Sequence, residues 1–431
     1  MKLYTPLTLI AALAATSLSA EMAQSVSQFG VTWTFEKPYE VGHFANGDWW
    51  VVGPVTITDI TPKTENNQNG SMINPGLNGA QGFDDRIQRS TYEPALNIAT
   101  QLPYAVTEPS SILSSISLVP DTTRDNPQMD TIAILTVLNE APPQGSFRPP
   151  YQGTDKSIPG NVSTLDFDKL GKYPSAEYAD MPSKLATTFE RPYIELNLSW
   201  TGRYMHPKNN QPPYGREIAQ RLGHGLLALQ IDAPDNEKRE LLIDLVQVGV
   251  DIYGAARLGG KWSADGGHNQ GRKLPLILAG VMLQNPDILQ YADGEVFTIF
   301  QEDQQTFYVT QEDVDRPRKQ PRNDGRPRME PYTVEMIGMP EWGIRHYNEP
   351  EKSGSNWNAT YRQVSGAPTT THVLAAKLMG VEEIWNWPAI FDYYTTRYWP
   401  AERSENRGVN SPSKFTRAMW EAHVAKADGE S

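Results

Sequence analysis

The 431-residue chain contains no cysteine. That absence excludes disulfides, thiol nucleophiles, cysteine-ligated metals and a lipid-modified N-terminal cysteine at one stroke. The seven histidines fall into no HExxH or other familiar metal spacing, so no metal ligand set and no cofactor is expected. A GxSxG nucleophile elbow and a phosphate-binding P-loop are both missing. Gly223, Gly225 and Ala228 loosely match a dinucleotide fingerprint, but they lie within a helical pattern and follow no strand. Positive charge is scarce as well: 38 Lys+Arg against 51 Asp+Glu give −13. Without the N-terminal twenty residues, whose one charge is Lys2, the balance is 37 − 51 = −14. An acidic surface of that kind argues against general binding of nucleic acid or anionic membrane. Beyond the N-terminus no run approaches the ~18 consecutive apolar residues of a membrane span.

What is present is a large apolar fraction, 39%, and many rings: eleven Trp and nineteen Tyr. Rings in such number serve either a large core or the stacking of sugars. Residues 1–20, MKLYTPLTLIAALAATSLSA, carry one Lys, an apolar run and small residues. They read as a secretory leader cut near Ala20 or Ala23, which predicts a periplasmic or secreted protein.

Residues 24–165 read as β-rich. Short β-branched and aromatic runs between Gly30 and Ile60 are broken by Asn46-Gly47-Asp48, a hairpin signal, and TIAILTVL at 131–138 is a further strand. Residues 66–83 form a Gly- and Asn-rich loop, and PPQGSFRPPYQG a connector. From 166 to 431 the pattern turns helical. Helices are expected over 215–231, from Asp235 to Gly259-Gly260, from Leu274-Pro275 onward, and over 371–379, 388–398 and 414–427. Helical hairpins joined by long loops predict a mainly α fold, an α/α barrel (toroid) with a β-rich N-terminal region. One loop, RPRKQPRNDGRPR at 316–328, places six cations in an acidic protein. It is either a solvated loop balanced by Glu312, Asp313 and Asp315 or a cationic lip for a polyanion.

Three loop clusters hold polar groups suited to chemistry. The first is KWSADGGHNQGRK (261–273), with Trp262, His268, Asn269 and Arg272; the second is PEWGIRHY (340–347), with Trp342, Arg345, His346 and Tyr347. The third is NWNATYRQ (356–363), with Trp357, Asn358, Tyr361 and Arg362, and GRYMHP (202–207) adds Arg203, Tyr204 and His206. Such groups suit β-elimination from a uronic-acid glycan. The proton α to the carboxylate becomes removable only when hydrogen bonds from Arg, Asn or His neutralise that carboxylate. A Tyr beside Arg can then act as base and return the proton to the leaving oxygen. His268, Asn269, Arg345 and Tyr361 form one coherent set if the fold brings them together, with Tyr347 as rival base. Trp262, Trp342 and Trp357 are candidate sugar platforms, and Arg203 and Arg272 candidate subsite cations. Hydrolysis by two carboxylates stays open, with Asp265, Glu341 and Glu349 as candidates, and so does a non-catalytic glycan-binding protein.

The runs DGGHNQGRKLPLILAG, PEWGIRHY and WNATYRQ resemble the exported alginate and glucuronan lyases built as an α/α barrel of helical hairpins. The resemblance implies a syn elimination with Tyr361 as base and acid, aided by His268 and Arg345, acting on an acidic polysaccharide. The stretch between His268 and Arg345, which includes the basic loop, is longer than that family's spacing implies.

Overall fold

The computed structural model describes residues 20–87, 91–118, 129–198, 205–208, 210, 216–264, 267–315, 332–343, 360–402 and 411–424, without the side chains of 360–364 and 402. The leader and the basic loop at 316–328 lie outside the described residues. Among the described residues no helix is long and apolar enough to cross a membrane.

The first part of the chain builds one curled, half-barrel sheet of eight strands. These are β1 (Glu21–Gln28), β2 (Val31–His43), β3 (Trp49–Val52), β4 (Val55–Thr61), β5 (Ser71–Ile73), β6 (Tyr104–Val106), β7 (Ser110–Ser117) and β8 (Met129–Leu138). Their order is β5-β7-β8-β3-β2-β4-β6, and β1 pairs along the other side of β2. The curl originates in β2. Residues 32–35 pair with β4, whereas 41–43 pair with β3. Pro38 sits between the two stretches, where a missing N–H interrupts the ladder, and β1 shifts register between Ala23 and Ser25. The Asn46-Gly47-Asp48 turn joins β2 to β3 as its composition predicts, with Gly47 at φ 84°.

Strand β8 is buried on both faces, which explains its unbroken apolar run. Ala133, Leu135 and Val137 point into the inner core with Trp33, Phe35 and Ile57. Ile132 and Ile134 point the other way, onto Tyr151, Ile194, Leu196 and Met205. The period of two thus divides one strand between two cores.

The remainder is helical with long irregular connections. Its helices are α1 (Met181–Leu185), α2 (Arg216–Ala228), α3 (Asp235–Arg257), α4 (Lys273–Met282), α5 (Pro286–Leu289), α6 (Gln301–Gln305), α7 (Gln311–Asp315), α8 (Thr360–Met379), α9 (Glu382–Trp385), α10 (Pro388–Tyr393), α11 (Trp399–Glu402) and α12 (Lys414–His423). A two-stranded ribbon, β9 (Thr306–Tyr308) with β10 (Pro340–Trp342), runs antiparallel beside them. The α/α barrel expected from the helical hairpins does not form: the molecule is a mixed α/β fold. A toroid needs a long unbroken series of sequence-adjacent helix pairs, and here the series is broken. Helix α2 packs chiefly on α8, far along the chain, while α3 packs on α4. Small residues set both contacts. A Cβ on Gly223 would meet Thr371 and His372 of α8, and one on Gly249 would lie 2.1 Å from the Pro275 carbonyl oxygen. The glycine pattern in α2 therefore serves helix packing.

Sheet and helices are joined through Arg148, which is fully buried. Its Nε donates to Asp48 at 2.6 Å, its Nη1 to Asp251 and the Pro149 carbonyl, and its Nη2 to Asp251 at 2.6 Å. Asp48 belongs to the β2–β3 turn and Asp251 to α3, so one guanidinium fixes the two halves to each other.

Candidate active site

A five-residue helix organises the candidate site. Helix α6, QEDQQ, follows the apolar run FTIF and lends each of its five side chains to a different neighbour. Gln301 accepts from the Asn269 N–H, and Gln304 from the Ala264 N–H at 2.9 Å. Glu302 Oε1 accepts from the N–H groups of Gly271 and Arg272. Asp303 accepts from Lys273 Nζ at 2.6 Å and from the Trp385 indole at 2.8 Å. Gln305 exchanges hydrogen bonds with Gly343, just after β10. These bonds bring the turn at 268–273 and the strand leading toward Arg345 to one place. Helix α8 joins them through Thr369, whose hydroxyl donates to Gln270 Oε1 at 3.2 Å.

The turn itself depends on Gly271. Its φ of 89° is left-handed, and a Cβ there would stand 2.6 Å from the Ala219 Cα of α2. His268 and Asn269 are both buried in the turn. The Asn269 amide donates to the carbonyls of Leu198 and Ser263, each at 2.9 Å, and so ties three loop segments together. Arg272 donates through Nε to Glu195 at 2.9 Å and through Nη1 to the carbonyls of His268 and Gln270. Helix α4 begins only at Lys273, so His268 and Arg272 share no helical face and meet through the Arg272 Nη1 bond to the His268 carbonyl.

Trp262 is fully buried, stacks on Phe300 at 5.1 Å and donates its indole N–H to Glu195. Burial opposes the Glu195 charge, yet Arg272, His206 and that indole together hold its carboxyl below the usual range. His206 is buried beside it, accepts at Nδ1 from the Ile194 N–H, and is pushed down to about 4 by burial, so the ring is neutral. Trp342 is also fully buried, against Tyr393 and Tyr394. Neither Trp262 nor Trp342 offers an exposed face to a sugar. Glu341 is buried too, with Oε1 accepting from the Trp342 N–H and Oε2 3.4 Å from Arg397.

Arg203, Tyr204, Asp265, Arg345, His346, Tyr347, Glu349, Trp357 and Asn358 lie outside the described residues. Tyr361 and Arg362 belong to the first turn of α8, and their side chains also lie outside the described set.

Several groups at the site carried no signal in the sequence. Glu302 is fully buried and its Oε2 has no hydrogen-bond partner. Burial pushes its pKa up to about 7, with the Asp303 carboxylate adding to the rise, against the Gly271 N–H and the Arg272 charge. This carboxyl therefore keeps its proton in mild acid and gives it up near neutrality. A π-helical turn at 394–398 carries Tyr394 and Tyr398, and such turns recur at functional sites. Burial beside Tyr398 and Tyr393 holds the Tyr394 hydroxyl well above its usual range, and it donates to the Gly366 carbonyl at 2.9 Å. On the flank of α6 opens a cavity of about 420 Å³, lined by Lys261, Ser263, Thr298, Gln304, Phe307 and Trp387 among others. Phe307 and Trp387 are half-buried there, and Lys261 is exposed. Trp387 donates to Thr306 and was hidden in the sequence by its place at the start of an apolar helix. Buried His206 and His372 and half-buried His224 are each lowered to about 4 by desolvation. Among the described residues no group of three or more His, Asp or Glu is arranged to hold a metal.

Comparison of the chain with protein-family models, with curated proteins and with solved structures finds no match to any of them.

Proposed function

We propose that the chain is an exported lyase that cleaves a uronic-acid glycan by β-elimination at the site gathered by α6. The observation that carries this reading is the clasp itself. Five consecutive buried or half-buried side chains draw in the 268–273 turn and the strand before Arg345, and Thr369 of the Tyr361-bearing helix bonds that turn. These are the segments whose residues suit elimination. The reading no longer leans on a barrel fold. The cavity on the flank supports it, because the Phe307 and Trp387 rings and the Lys261 ammonium match the faces and charge of a uronate. In this scheme Tyr361, or its rival Tyr347, is base and acid, and Arg345 neutralises the carboxylate. His268 and Asn269 form the turn beneath it. A protonated Glu302 adds a neutral hydrogen-bond donor of the kind that stabilises developing negative charge.

Hydrolysis is the second reading, and Glu302 favours it over the carboxylates expected at the outset. Glu341 is engaged with Arg397 in the core, whereas Glu302 keeps its proton in mild acid and has an oxygen to spare.

The test incubates the mature protein with alginate, glucuronan, pectate and neutral glycans, recording ultraviolet absorbance and reducing ends together. Absorbance rising in step with reducing ends on a polyuronate supports elimination and names the substrate. Reducing ends without absorbance transfer the function to hydrolysis. Silence on every glycan overturns both.

A further inference from the structure

The cavity on the flank of α6 is shaped by three residues of sequence, Lys261-Trp262-Ser263. The Trp262 ring stacks on Phe300, and its N–H donates to the Ile299 carbonyl at 2.8 Å. Lys261 and Ser263, on either side of that anchor, line the space of about 420 Å³. Among the described residues the Lys261 ammonium makes no ion pair or hydrogen bond, and the Ser263 hydroxyl makes no hydrogen bond. The other polar groups of the wall are already engaged. Thr298 donates to the Gly294 carbonyl, and Gln304 bonds the Ala264 N–H and the Thr298 carbonyl. Thr306 donates to the Glu302 carbonyl, and Asp303 is held by Lys273 and Trp385. The charge that this wall offers is therefore positive, in a chain whose balance is −13.

The rings of the wall are fixed in advance. Asn386 takes a left-handed conformation, φ 47°, which asparagine tolerates, and its amide donates to Asp293 at 2.9 Å. Trp387 follows it, and the indole N–H donates to the Thr306 carbonyl at 3.1 Å and to its hydroxyl at 3.0 Å. With that N–H spent, the half-buried ring has only apolar surface left to offer. Phe307, on β9, is half-buried in the same wall. A concave space with two aromatic rings and few polar groups suits a sugar ring, and a lysine point charge suits a carboxylate carried on it. The Asn269 amide bonds the Ser263 carbonyl, and Thr306 pairs with Trp342 across the ribbon, so the cavity and the 268–273 turn share one framework.

We propose, resting on the α6 cleft as the place of reaction, that this cavity holds the sugar next to the reacting one and selects for a free carboxylate on it. Lys261 pairs with that carboxylate, Ser263 bonds a ring hydroxyl, and Trp387 and Phe307 cover the ring. A methyl ester on the same unit brings no charge for Lys261 to meet. Selection thus falls on a unit whose bonds are not broken, and on residues that take no part in the elimination.

End-labelled tetramers of guluronate, mannuronate, glucuronate and galacturonate, each as free acid and as methyl ester, test this by fluorescence anisotropy read within seconds of mixing with the full chain. At least one free acid is expected to bind about tenfold more tightly than its ester. Lys261→Gln, at an exposed position, should lower that preference about threefold without changing affinity for the ester. Trp387→Leu should weaken acid and ester alike, about fivefold, and leave the preference intact. No binding of any free acid, a preference that Lys261→Gln leaves at the wild-type value, or full affinity in Trp387→Leu overturns the proposal. Binding with the expected losses but no cleavage of any tetramer upholds the subsite and overturns the elimination. Cleavage with an unmoved preference overturns the subsite alone.

Discussion

Two buried ionisable groups mark the difference between the halves of this molecule. Arg148, at the seam of sheet and helices, is fully enclosed and engages both of its acids and a carbonyl through four of its N–H groups. Glu302, under the 268–273 turn, is equally enclosed, yet one of its oxygens meets no donor. A polar group satisfied on every side holds a structure together, whereas one left half-satisfied in the core is a candidate for function. The surrounding geometry agrees. Arg148 grips the β2–β3 turn and α3, both regular and early in their halves. Glu302 grips a turn that needs a left-handed glycine and faces a cluster of buried tyrosines.

Removing the satisfied charge is expected to have the largest effect. Arg148→Met leaves Asp48 and Asp251 buried without a counter-ion and should cost roughly 3–5 kcal/mol, read by urea unfolding. Burial already pushes Asp251 up to about 6 against the pull of Arg148, so the variant's deficit should shrink in acid, where both carboxylates take up protons. A loss under 1 kcal/mol would remove the contrast between the two sites.

The next effect concerns pH. The Glu302 pKa is raised in the folded protein, so its contribution is complete below the ordinary glutamate range and fades as pH climbs to about 7. A rise from the ordinary glutamate value of 4.5 to about 7 amounts to roughly 3 kcal/mol lost across that window. Glu302→Gln should flatten the profile there, which urea midpoints at several pH values would reveal. A profile of unchanged slope would mean the carboxyl does not keep its proton in mild acid.

Gly271→Ala tests the turn. Its left-handed φ and its contact with Ala219 predict a cost of about 1–3 kcal/mol, with activity falling further than stability because the turn carries the site. The smallest effect is expected of Gln305→Ala, which removes the side-chain bond to the Gly343 carbonyl and leaves the main-chain one. It should lose about 1 kcal/mol while raising KM for a polymeric substrate.

The comparison also explains what the sequence disclosed. Local signals were readable: the 3.6-residue period placed α3 from Asp235, and Asn46-Gly47-Asp48 marked the β2–β3 turn. Non-local pairings were not. The parallel match of β3 with β8 joins Trp49 to Leu135, and α2 meets α8 through Gly223 and His372. No periodicity within a single segment reports either contact, and reading the helices as sequential hairpins led to a toroid. At the site, the turn at 268–273 stood out by its glycines and polar groups, whereas α6 did not. Five polar residues in one short helix read as surface until the neighbours they bind are known. Trp262 and Trp342 misled for a related reason, since a tryptophan in a polar loop looks exposed, while here the loops fold over them.

One measurement bears most directly on the contrast between the two groups: the folding stability of Glu302→Gln above pH 7 and its turnover at about pH 6, where the wild-type carboxyl keeps its proton, each side by side with wild type. The variant should be at least as stable as wild type, because it no longer buries a carboxylate, while its turnover on the responsive glycan falls at least about tenfold. A variant that is strongly destabilised, or one that turns over at the wild-type rate, would contradict the reading of Glu302 as a group held for function.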